Sequence, residues 1–405
     1  MFLCYLKLVR ERYDLIIVGA GAAGNAVAKD IEGVNALVIE KRSIIGEPAE
    51  CAGLVSKKSL EILDLDIDDV DFVQNRIYGA YIHSPRGKTY HIGGDKLHAY
   101  AIDRAKFDRF MANIAKNRGI EYLLNKRVEE IFREKSKVIV KSTDKEFETN
   151  VVIGADGVES IVRKTFFDQD PDEILFGIGA EVEGIDVDSK SVHVFFGKKL
   201  TPDFFAWIIP INEKGSKARI GLCISYPPSK SPKTLLHDLF NYPTTRSFLE
   251  DTEITSIIAG RIPLGYMKRS VADNVILIGD SAFQVKPLSG GGIYPIAEAS
   301  RACITTLNEA FEKNDFSERR LKKYHDRWSE KLKKEILFGL WIRKKYRNME
   351  DNDIERFLSY LERRDILEII NRYGDIDHPS RLIFPLTKKI PTLISLLPKI
   401  AGLFV

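Results

Sequence analysis

The stretch YDLIIVGAGAAGNAVAKDIEGVNALVIE, residues 13–40, decides the fold. It opens with the uninterrupted apolar run Leu15–Val18, which is typical of a strand buried on both faces. Three glycines follow in the spacing G-x-G-x-x-G, at Gly19, Gly21 and Gly24. The first glycine permits a tight turn, the second allows a close approach to the backbone, and the third allows a helix to pack closely on its strand.

The same stretch continues with a helix and a second strand. The helix is expected to begin near Gly21 and to direct the positive end of its dipole toward the turn, where phosphates bind well. A second apolar run, Ala36–Ile39, ends in Glu40. An acid there can accept hydrogen bonds from both ribose hydroxyls and would repel a 2′-phosphate. The whole series predicts a dinucleotide site, whereas a glycine triplet alone could be a turn that binds nothing.

Composition sets the limits of the interpretation. The chain has 405 residues, 44% hydrophobic and 29% charged, and its net charge of +3 exerts no global attraction on nucleic acid, so we expect none as a partner. The cysteines show neither C-x-x-C pairs nor metal-ligand spacing, which predicts reduced thiols in a cytosol and no metal; they are Cys4, Cys51, Cys223 and Cys303. The apolar core of the first twelve residues is too short for a signal peptide. No run of the sequence approaches the roughly 20 apolar residues that a membrane span needs.

Further along, the pattern changes from alternating strands and helices to strands alone and then to helices. Residues 77–92 have the signature of a hairpin around Pro85-Arg86-Gly87, and five strand-like runs lie between residues 176 and 262. We therefore expect an α/β protein with a Rossmann-like nucleotide-binding domain, an inserted antiparallel β-sheet substrate domain and a helical C-terminal region. The predicted boundaries are 1–76, 98–170 and 265–317 for the nucleotide-binding parts, 77–97 and 171–264 for the substrate domain, and 318–405 for the helical region.

Two later motifs indicate which dinucleotide binds. One is Gly154-Ala155-Asp156-Gly157, after an apolar strand, and the other is Gly279-Asp280, followed by Pro287 and the run Gly290-Gly291-Gly292. A flavin needs anchoring of its ribityl chain and ring that a nicotinamide enzyme does not need. Strand-end aspartates can accept ribityl or ribose hydroxyls, and a helix opening at Ile293 can stabilise negative charge on a reduced flavin.

These motifs together resemble the FAD-dependent hydroxylase and oxidoreductase group that is built like para-hydroxybenzoate hydroxylase. Within that group the chain is similar to the geranylgeranyl reductase family, especially the archaeal enzymes that saturate isoprenoid chains of membrane lipids. The resemblance covers nearly the whole chain. Three features narrow it: Cys51-Ala52-Gly53, the glycine-rich GDSAFQVKPLSGGGIYP, and PDFFAWIIP.

The resemblance and the motifs imply a set of FAD-binding residues. Cys51 has a second expected role, in protonation or redox sensing, although it could equally be a small residue that fills a tight loop. Arg104 is expected to reach toward FAD, although it could be a surface side chain. The full set is Gly19, Gly21, Ala22, Ala23, Gly24, Glu40, Lys41, Cys51, Ala52, Gly53, Arg104, Val128, Asp156, Gly157, Gly279, Asp280, Pro287, Gly290, Gly291, Gly292 and Ile293.

The segment PDFFAWIIP is similar to the substrate motif of that family, P-x-x-Y-x-W-x-F-P followed by G-x-G. In this chain Phe205 stands in place of the tyrosine, Ile209 in place of the phenylalanine, and Arg219 in place of the first glycine. Losing the tyrosine hydroxyl removes a hydrogen-bonding role but keeps recognition of an apolar chain by shape. The expected substrate-binding residues are Phe205, Trp207, Pro210 and Gly221; the alternative is a sheet with aromatic core positions.

The resemblance implies FAD-dependent reduction of carbon–carbon double bonds in the geranylgeranyl chains of a digeranylgeranylglycerophospholipid. One alternative is an FAD-dependent aromatic monooxygenase, but Phe283 and Gln284 stand where a hydroxylase-like histidine is expected. Another is a non-catalytic flavin-binding redox sensor at a membrane. The electron donor stays open among ferredoxin, a reduced deazaflavin and NAD(P)H. His83, His91, His98 and His193 form no metal-like or triad-like pattern.

The C-terminal region suggests contact with a membrane surface. Between Glu318 and Arg347 there are twelve Lys or Arg against four Asp or Glu, and residues 385–405 are apolar but interrupted by prolines and lysines. The longest stretch of the tail between charges, Ile390–Pro398, is too short to span a bilayer but could lie in its interface. We therefore expect a cytoplasmic protein at the inner face of the membrane. The alternative is a helical cap over the substrate pocket with solvated lysines.

Overall fold

The structure, a computed structural model, describes residues 10–67 and 70–390. Cys4 and residues 391–405 of the predicted membrane tail lie outside the described residues. The described strands are β1 (Glu11–Val18), β2 (Ala36–Ile39), β3 (Leu54–Ser56), β4 (Val73–Ile77), β5 (Gly79–His83), β6 (Thr89–Gly93), β7 (Ala99–Ile102), β8 (Glu121–Leu123), β9 (Val128–Glu134), β10 (Lys137–Ser142), β11 (Glu146–Gly154), β12 (Glu173–Glu183), β13 (Ser191–Phe195), β14 (Ala206–Pro210), β15 (Lys217–Ser225), β16 (Glu253–Leu264), β17 (Val271–Ala272) and β18 (Val275–Leu277).

Helices cover these strands and extend beyond them. The described helices are α1 (Ala22–Ala28), α2 (Lys57–Ile62), α3 (Arg104–Asn117), α4 (Ile161–Phe166), α5 (Pro232–Asn241), α6 (Arg246–Leu249), α7 (Ile293–Lys313), α8 (Glu318–Arg347), α9 (Asp351–Leu358), α10 (Arg364–Tyr373) and α11 (Ile383–Thr387).

The first sheet has the core order β17-β18-β11-β1-β2-β8, and β10 and β9 extend from β11. β1 pairs in parallel with β2 on one edge and with β11 on the other, and its apolar run Leu15–Val18 is buried, as predicted. The carboxyl ends of β1, β11 and β18 therefore meet at one edge, which is where open α/β sheets bind ligands. The expected Rossmann-like fold is confirmed.

The second sheet has the order β16-β12-β15-β14-β13-β5-β6. Its strands come from the hairpin near residue 80 and from the strand-rich segment after residue 171, as the sequence suggested. All its pairs are antiparallel except that of β13 with β5, which is parallel and joins two strands that are distant in sequence. The sheet is thus antiparallel with one parallel step, and the exact domain boundaries stay a prediction.

A small third sheet, β3-β7-β4, lies between the two larger ones. β7 leads directly into α3, whose N-terminus is capped by Asp103 through a 3.0 Å hydrogen bond from the N–H of Lys106. Such a cap satisfies a helix N–H that has no other partner and stabilises the helix by about 1 kcal/mol. It also fixes where Arg104 enters the interior.

The long basic helix α8 packs on the core with Leu321, Tyr324, Trp328, Leu332 and Ile336. At least six of its twelve basic residues form ion pairs with carboxylates of the same chain: Arg320, Lys322, Lys323, Arg327, Arg343 and Arg347. Much of its charge excess is therefore neutralised within the protein. Within residues 10–67 and 70–390, no helix is long and apolar enough to cross a bilayer.

Candidate FAD and substrate site

One cavity of about 510 Å³ runs between the first two sheets. Its polar end lies against the glycine turn at Gly21, and its middle passes Arg104 and Asp280. Its apolar end lies against the second sheet, at Phe205 and Trp207. The sequence predicted these two ends as separate cofactor and substrate motifs, and the structure brings them into one continuous space.

The first glycine turn has the shape that the spacing predicted. Gly19 adopts φ +105°, which favours glycine, and a Cβ there would collide with the carbonyl oxygen of Ala155. A Cβ on Gly24 would collide with the carbonyl oxygen of Gly19, so the helix packs tightly on the turn. Around Gly21 nothing lies within 4 Å of the missing Cβ. Gly21, Ala22 and Ala23 all face the cavity, and a phosphate can approach the backbone there.

Glu40 is buried at the end of β2, as predicted, with 8% of its surface exposed. Its carboxylate accepts hydrogen bonds from the N–H groups of Ala20 at 2.8 Å and Arg42 at 2.9 Å. Each oxygen keeps a further lone pair for a ribose hydroxyl. Lys41 is exposed and does not line the cavity, whereas Arg42 does. Glu40, like Lys41, does not line the cavity, so cofactor contact at both positions stays a prediction.

Asp280 is the aspartate that faces the cavity. Its carboxylate accepts no hydrogen bond from the residues described, and burial raises its pKa to about 6, although Arg104 acts in the opposite direction. Gly279 before it adopts φ +71°, and a Cβ there would lie 2.6 Å from the Cβ of Ala23. The turn at Gly279 therefore directs Asp280 into the cavity, where its carboxylate can accept a hydrogen bond from a ligand.

Asp156 has a different role from the one expected. Its carboxylate accepts hydrogen bonds from the Ser160 hydroxyl at 2.5 Å and from the N–H groups of Ile161 at 2.7 Å and Val162 at 3.3 Å. Both oxygens are thus committed to the N-terminus of α4, and Asp156 does not line the cavity. Its neighbour Gly157 does. The prediction that Asp156 binds the cofactor directly is corrected to a structural cap.

The glycine-rich run after β18 forms the wall beside Asp280. Gly290, Gly291, Gly292 and Ile293 all line the cavity, and α7 begins at Ile293, as predicted. The N-terminus of this long helix therefore opens toward the cavity and favours negative charge there. Pro287, by contrast, is buried against α8, where it lies 2.9 Å from the missing Cβ of Gly339.

Val128 also lies away from the cavity, with its side chain in the core at the start of β9. A role for Val128 would have to use its backbone. Neither Pro287 nor Val128 is therefore supported as a side-chain contact to a ligand in the cavity.

Cys51, Ala52 and Gly53 form a loop that lines the cavity. Cys51 is half-buried, and its Sγ accepts a 3.3 Å hydrogen bond from the N–H of Gly53. Gly53 adopts φ +72°, and a Cβ there would collide with the carbonyl of Ile102 and with the guanidinium of Arg219. Only glycine fits, because the loop is pressed between β7 and the second sheet.

Arg104 enters the cavity from the first turn of α3, where it pairs with Asp108 at 3.2 Å. Burial lowers the pKa of Arg104, but Asp108 and Cys51 more than offset it, so the pKa lies above its usual value and the guanidinium stays charged. Its Nε is buried without a hydrogen-bond partner among the described residues. A surface role is excluded, and an acceptor supplied by a ligand would satisfy this atom.

Arg219 is a cavity residue whose role the sequence did not reveal. It is 4% exposed and pairs with Glu181 at 2.7 Å. It also donates to the carbonyls of Ile102 at 2.6 Å and Ala52 at 3.3 Å. The arginine that replaces the expected glycine therefore ties the cysteine loop and the start of α3 to the second sheet.

The apolar end is an aromatic wall. Phe205 stacks on Phe204 with ring centroids 4.3 Å apart and meets Trp207 edge-on at 6.2 Å. Gly221 packs against the indole of Trp207, because a Cβ on Gly221 would lie only 2.5 Å from an indole carbon. It therefore makes room for the indole but does not itself line the cavity. Pro210 is buried at the end of β14, where its carbonyl accepts from Asn75. Of the expected substrate residues, Phe205 and Trp207 line the cavity.

Glycines on the second sheet also line the cavity, and sequence reasoning missed them. A Cβ on Gly177 would lie 3.1 Å from the Cys223 Sγ, and one on Gly260 would lie 2.7 Å from the Glu50 carbonyl oxygen. Their missing side chains leave a shallow groove across β12 and β16. Glycine inside a strand signals a close approach of a ligand or backbone, and G-I-G in β12 carried that signal.

His83 and His193 lie on the other face of the second sheet, 2.9 Å apart between Nε2 and Nδ1. Burial lowers the pKa of both to about 4, so both are neutral near pH 7. They pack against Phe195 and Phe248 and contribute to the core.

The fit of FAD can be tested on these observations. The site offers an open backbone turn at Gly21, a half-buried carboxylate without a donor at Asp280, and a buried guanidinium nitrogen without an acceptor at Arg104. FAD has phosphates that can bind at the Gly21 turn and ribityl hydroxyls that can donate to Asp280. It also has oxygen atoms that can accept a hydrogen bond from Arg104. The residues present therefore fit FAD.

Comparisons with known proteins agree with this geometry. Residues 12–330 match the family described as FAD binding domain. The chain is 30% identical to the digeranylgeranylglycerophospholipid reductase of Methanocaldococcus jannaschii, over 86% of this chain and 90% of the relative. It is also 30% identical to digeranylgeranylglycerophospholipid reductase 1 of Methanococcoides burtonii, over 86% and 87%.

A solved structure shares the fold. The geranylgeranyl bacteriochlorophyll reductase-like protein of Thermoplasma acidophilum superposes with a TM-score of 0.84 at 22% identity, over 96% of this chain and all of that one. The expected cofactor, FAD, and the expected family are confirmed. The chain belongs to the FAD-binding domain family and, within it, to the digeranylgeranylglycerophospholipid reductase group.

Proposed function

We propose that this protein reduces carbon–carbon double bonds in the geranylgeranyl chains of an isoprenoid phospholipid, using FAD. One observation carries the proposal: the cavity that begins at the glycine turn continues, past Asp280, to the aromatic wall of Phe205 and Trp207. A long apolar chain placed against that wall would reach the part of the cavity where the flavin ring belongs.

When bound, FAD supplies the hydride for such a reduction. An isolated alkene has no carbonyl that could stabilise a carbanion, so the protein must deliver a proton to the other carbon. Cys51 is the proposed donor, because it lines the cavity and its Sγ acts as an acceptor, toward the N–H of Gly53 and toward the Arg104 guanidinium. Its thiol proton is therefore free to be directed toward a ligand.

The remaining residues bind, orient and exclude water. Asp280 and Arg104 offer an acceptor and a donor in the middle of the cavity, and the N-terminus of α7 favours negative charge beside them. Phe204 and Phe205 line the apolar end and keep it dry, which prevents loss of protons and hydride to water. The tyrosine hydroxyl of the related motif is absent at Phe205, so proton delivery does not depend on it.

The reaction is tested by product mass. The FAD-loaded protein is reduced with a chemical reductant under argon and given a phospholipid with two geranylgeranyl chains. The proposal predicts products heavier by whole multiples of two hydrogens. A monooxygenase would give no product under argon and would incorporate labelled oxygen in air. A redox sensor would bind lipid but leave its mass unchanged.

We also propose that the protein meets its substrate at the inner surface of the membrane. A lipid with two long prenyl chains is nearly insoluble in water, and the C-terminal region exposes Tyr373, Ile376 and Phe384, the last with Lys388 4.5 Å over its ring. This pairing of apolar and cationic groups suits an anionic leaflet. Flotation with anionic liposomes tests it: binding should weaken with salt and on deletion of residues 391–405, at unchanged flavin content. Equal flotation of the truncated chain would exclude a role of the tail.

A further inference from the structure

A second, open recess adjoins the mouth of the cavity, with a volume of about 560 Å³. The two share Ser56 and Ile376 as common wall residues, so a ligand could extend from one into the other. We call this space the mouth recess. It is lined by Ser56, Lys57, Lys58, Glu61, Leu97, His98, Arg372, Tyr373, Gly374, Asp375, Ile376, Asp377 and Arg381.

The three carboxylates of the mouth recess already have partners, beginning with Glu61, which pairs with Lys57 at 3.4 Å. Asp377 pairs with Lys286 at 2.7 Å, and its side chain is 1% exposed. Asp375 pairs with Arg381 at 2.7 Å and with the His378 ring. Their negative charges are therefore compensated by cations of the same chain.

Two cations of the recess are not compensated in this way. Within the described residues, neither Lys58 nor Arg372 pairs with a carboxylate, although Lys58 donates a 3.5 Å hydrogen bond to the Tyr294 hydroxyl. Lys58 instead lies over the ring of Tyr294 at 5.1 Å, and Arg372 lies over the ring of Tyr373 at 5.3 Å. The recess therefore presents two available positive charges to an incoming anion.

The rim between the recess and the cavity is apolar and exposed. Leu54 is 37% exposed, Tyr373 42% and Ile376 46%, and all three line one space or the other. Exposed apolar side chains that are grouped at one opening and bordered by polar groups are typical of a ligand-binding groove. An amphiphile would cover them, since its chains would cross the rim while its charged group stayed among the cations.

We propose that the mouth recess binds the phosphate of the lipid headgroup, with Lys58 and Arg372 as its cationic ligands. The inference rests on the proposed function and gives a place to the charged part of the substrate. The prenyl chains would pass Ile376 and enter the cavity, whose far end is aromatic.

The recess is also fixed relative to the flavin wall. Lys286, which lies just before the glycine-rich run and lines the cavity, donates to the Asp377 carboxylate at 2.7 Å and to the Ile376 carbonyl at 3.2 Å. A headgroup held in the recess is therefore held at a set distance from Asp280 and the run Gly290–Gly292. This distance would determine which double bond of each chain lies at the reacting position.

The test compares two double variants of the FAD-loaded protein. K58Q/R372Q removes the two cations of the recess, and K199Q/K233Q removes two exposed lysines that line neither space. Each is assayed with a chemical reductant on digeranylgeranylglycerol phosphate lipid and on the same diether without phosphate. We expect the KM of K58Q/R372Q for the phosphate lipid to rise about tenfold, as charge-assisted hydrogen bonds of this kind suggest. Its kcat, its flavin content and its KM for the neutral diether should match the control.

Several results would overturn the inference while the wild-type protein still reduces lipid. One is an unchanged KM for the phosphate lipid, and another is an equal rise for both lipids. A defect seen only when an acidic protein supplies electrons would assign the recess to the electron donor. Inorganic phosphate should inhibit the wild type competitively and the variant less. Inhibition by phosphate without a change in lipid KM would show a site for free anions only. A wild type that reduces neither lipid refutes the proposed function instead.

Discussion

The two strand-end aspartates give the sharpest test of the site, because the structure assigns them opposite consequences. Asp280 is half-buried and has no hydrogen-bond donor among the described residues, and loss of solvation raises its pKa from 3.8 to about 6. That difference corresponds to roughly 3 kcal/mol by which the ionised carboxylate destabilises the flavin-free protein. Asp280→Asn removes the charge and should stabilise the apoprotein by up to that amount.

The pH dependence follows from the sign of the shift. Below about pH 4, the carboxyl of Asp280 is neutral in the folded and unfolded states, so the variant gains nothing. Between about pH 4 and 6 the unfolded chain releases this proton first, and the wild type loses stability relative to the variant. Above about pH 6 the difference is constant. Urea unfolding of both apoproteins across this range measures it.

Asp156 is the matched comparison. Its carboxylate accepts from Ser160, Ile161 and Val162 at the start of α4, so Asp156→Ala should destabilise the protein by about 1 kcal/mol, as loss of a helix cap does. Asp280→Asn should also weaken FAD binding, by about tenfold to a hundredfold, if ribityl hydroxyls donate to the carboxylate. An apoprotein of Asp280→Asn that is no more stable than the wild type at pH 7 would refute the reasoning.

The other predictions concern the two ends of the cavity. Glu40→Gln should weaken FAD binding by about tenfold, because a charged acceptor of the adenosine ribose is lost; flavin fluorescence titration measures this, and unchanged affinity would remove Glu40 from the site. Cys51→Ser should keep FAD but slow alkene reduction, and unchanged turnover would make Cys51 structural. Gly177→Val should place methyl groups in the cavity beside Cys223, raising the KM for lipids with two long chains more than for a short prenyl alcohol; equal effects on both would show that the groove does not hold the chain.

The parts of the fold that depend on local sequence were predictable. The apolar run of β1, the glycine turn and Glu40 lie within one continuous stretch, and their geometry follows from backbone rules that involve few distant contacts. The hairpin of β5 and β6 and the start of α7 at Ile293 followed in the same way.

The direction of individual side chains was less predictable. Asp156 and Asp280 both follow a buried strand before a turn, so they look alike in sequence. The structure separates them because α4 begins five residues after Asp156 and its N–H groups bind the carboxylate, whereas the left-handed Gly279 turns Asp280 inward. After β2, the side chain of Lys41 is exposed, whereas Arg42, the next residue, lines the cavity.

Contacts between distant segments could not be read from the sequence. Arg219 appeared only as a departure from a motif, and its function becomes visible when β15 lies against the cysteine loop and β7. The mouth recess combines α2 with the chain after α10, more than 300 residues apart. No local pattern records that these two segments meet.

The most direct measurement of the central claim is a single turnover without oxygen. The FAD of the protein is fully reduced and the excess reductant is removed. The protein is then mixed with a phospholipid that carries two geranylgeranyl chains. The account predicts that the visible absorbance of oxidised flavin returns as the lipid is consumed, with one double bond saturated for each flavin oxidised. Flavin that stays reduced until oxygen is admitted, with the lipid unchanged, would contradict it.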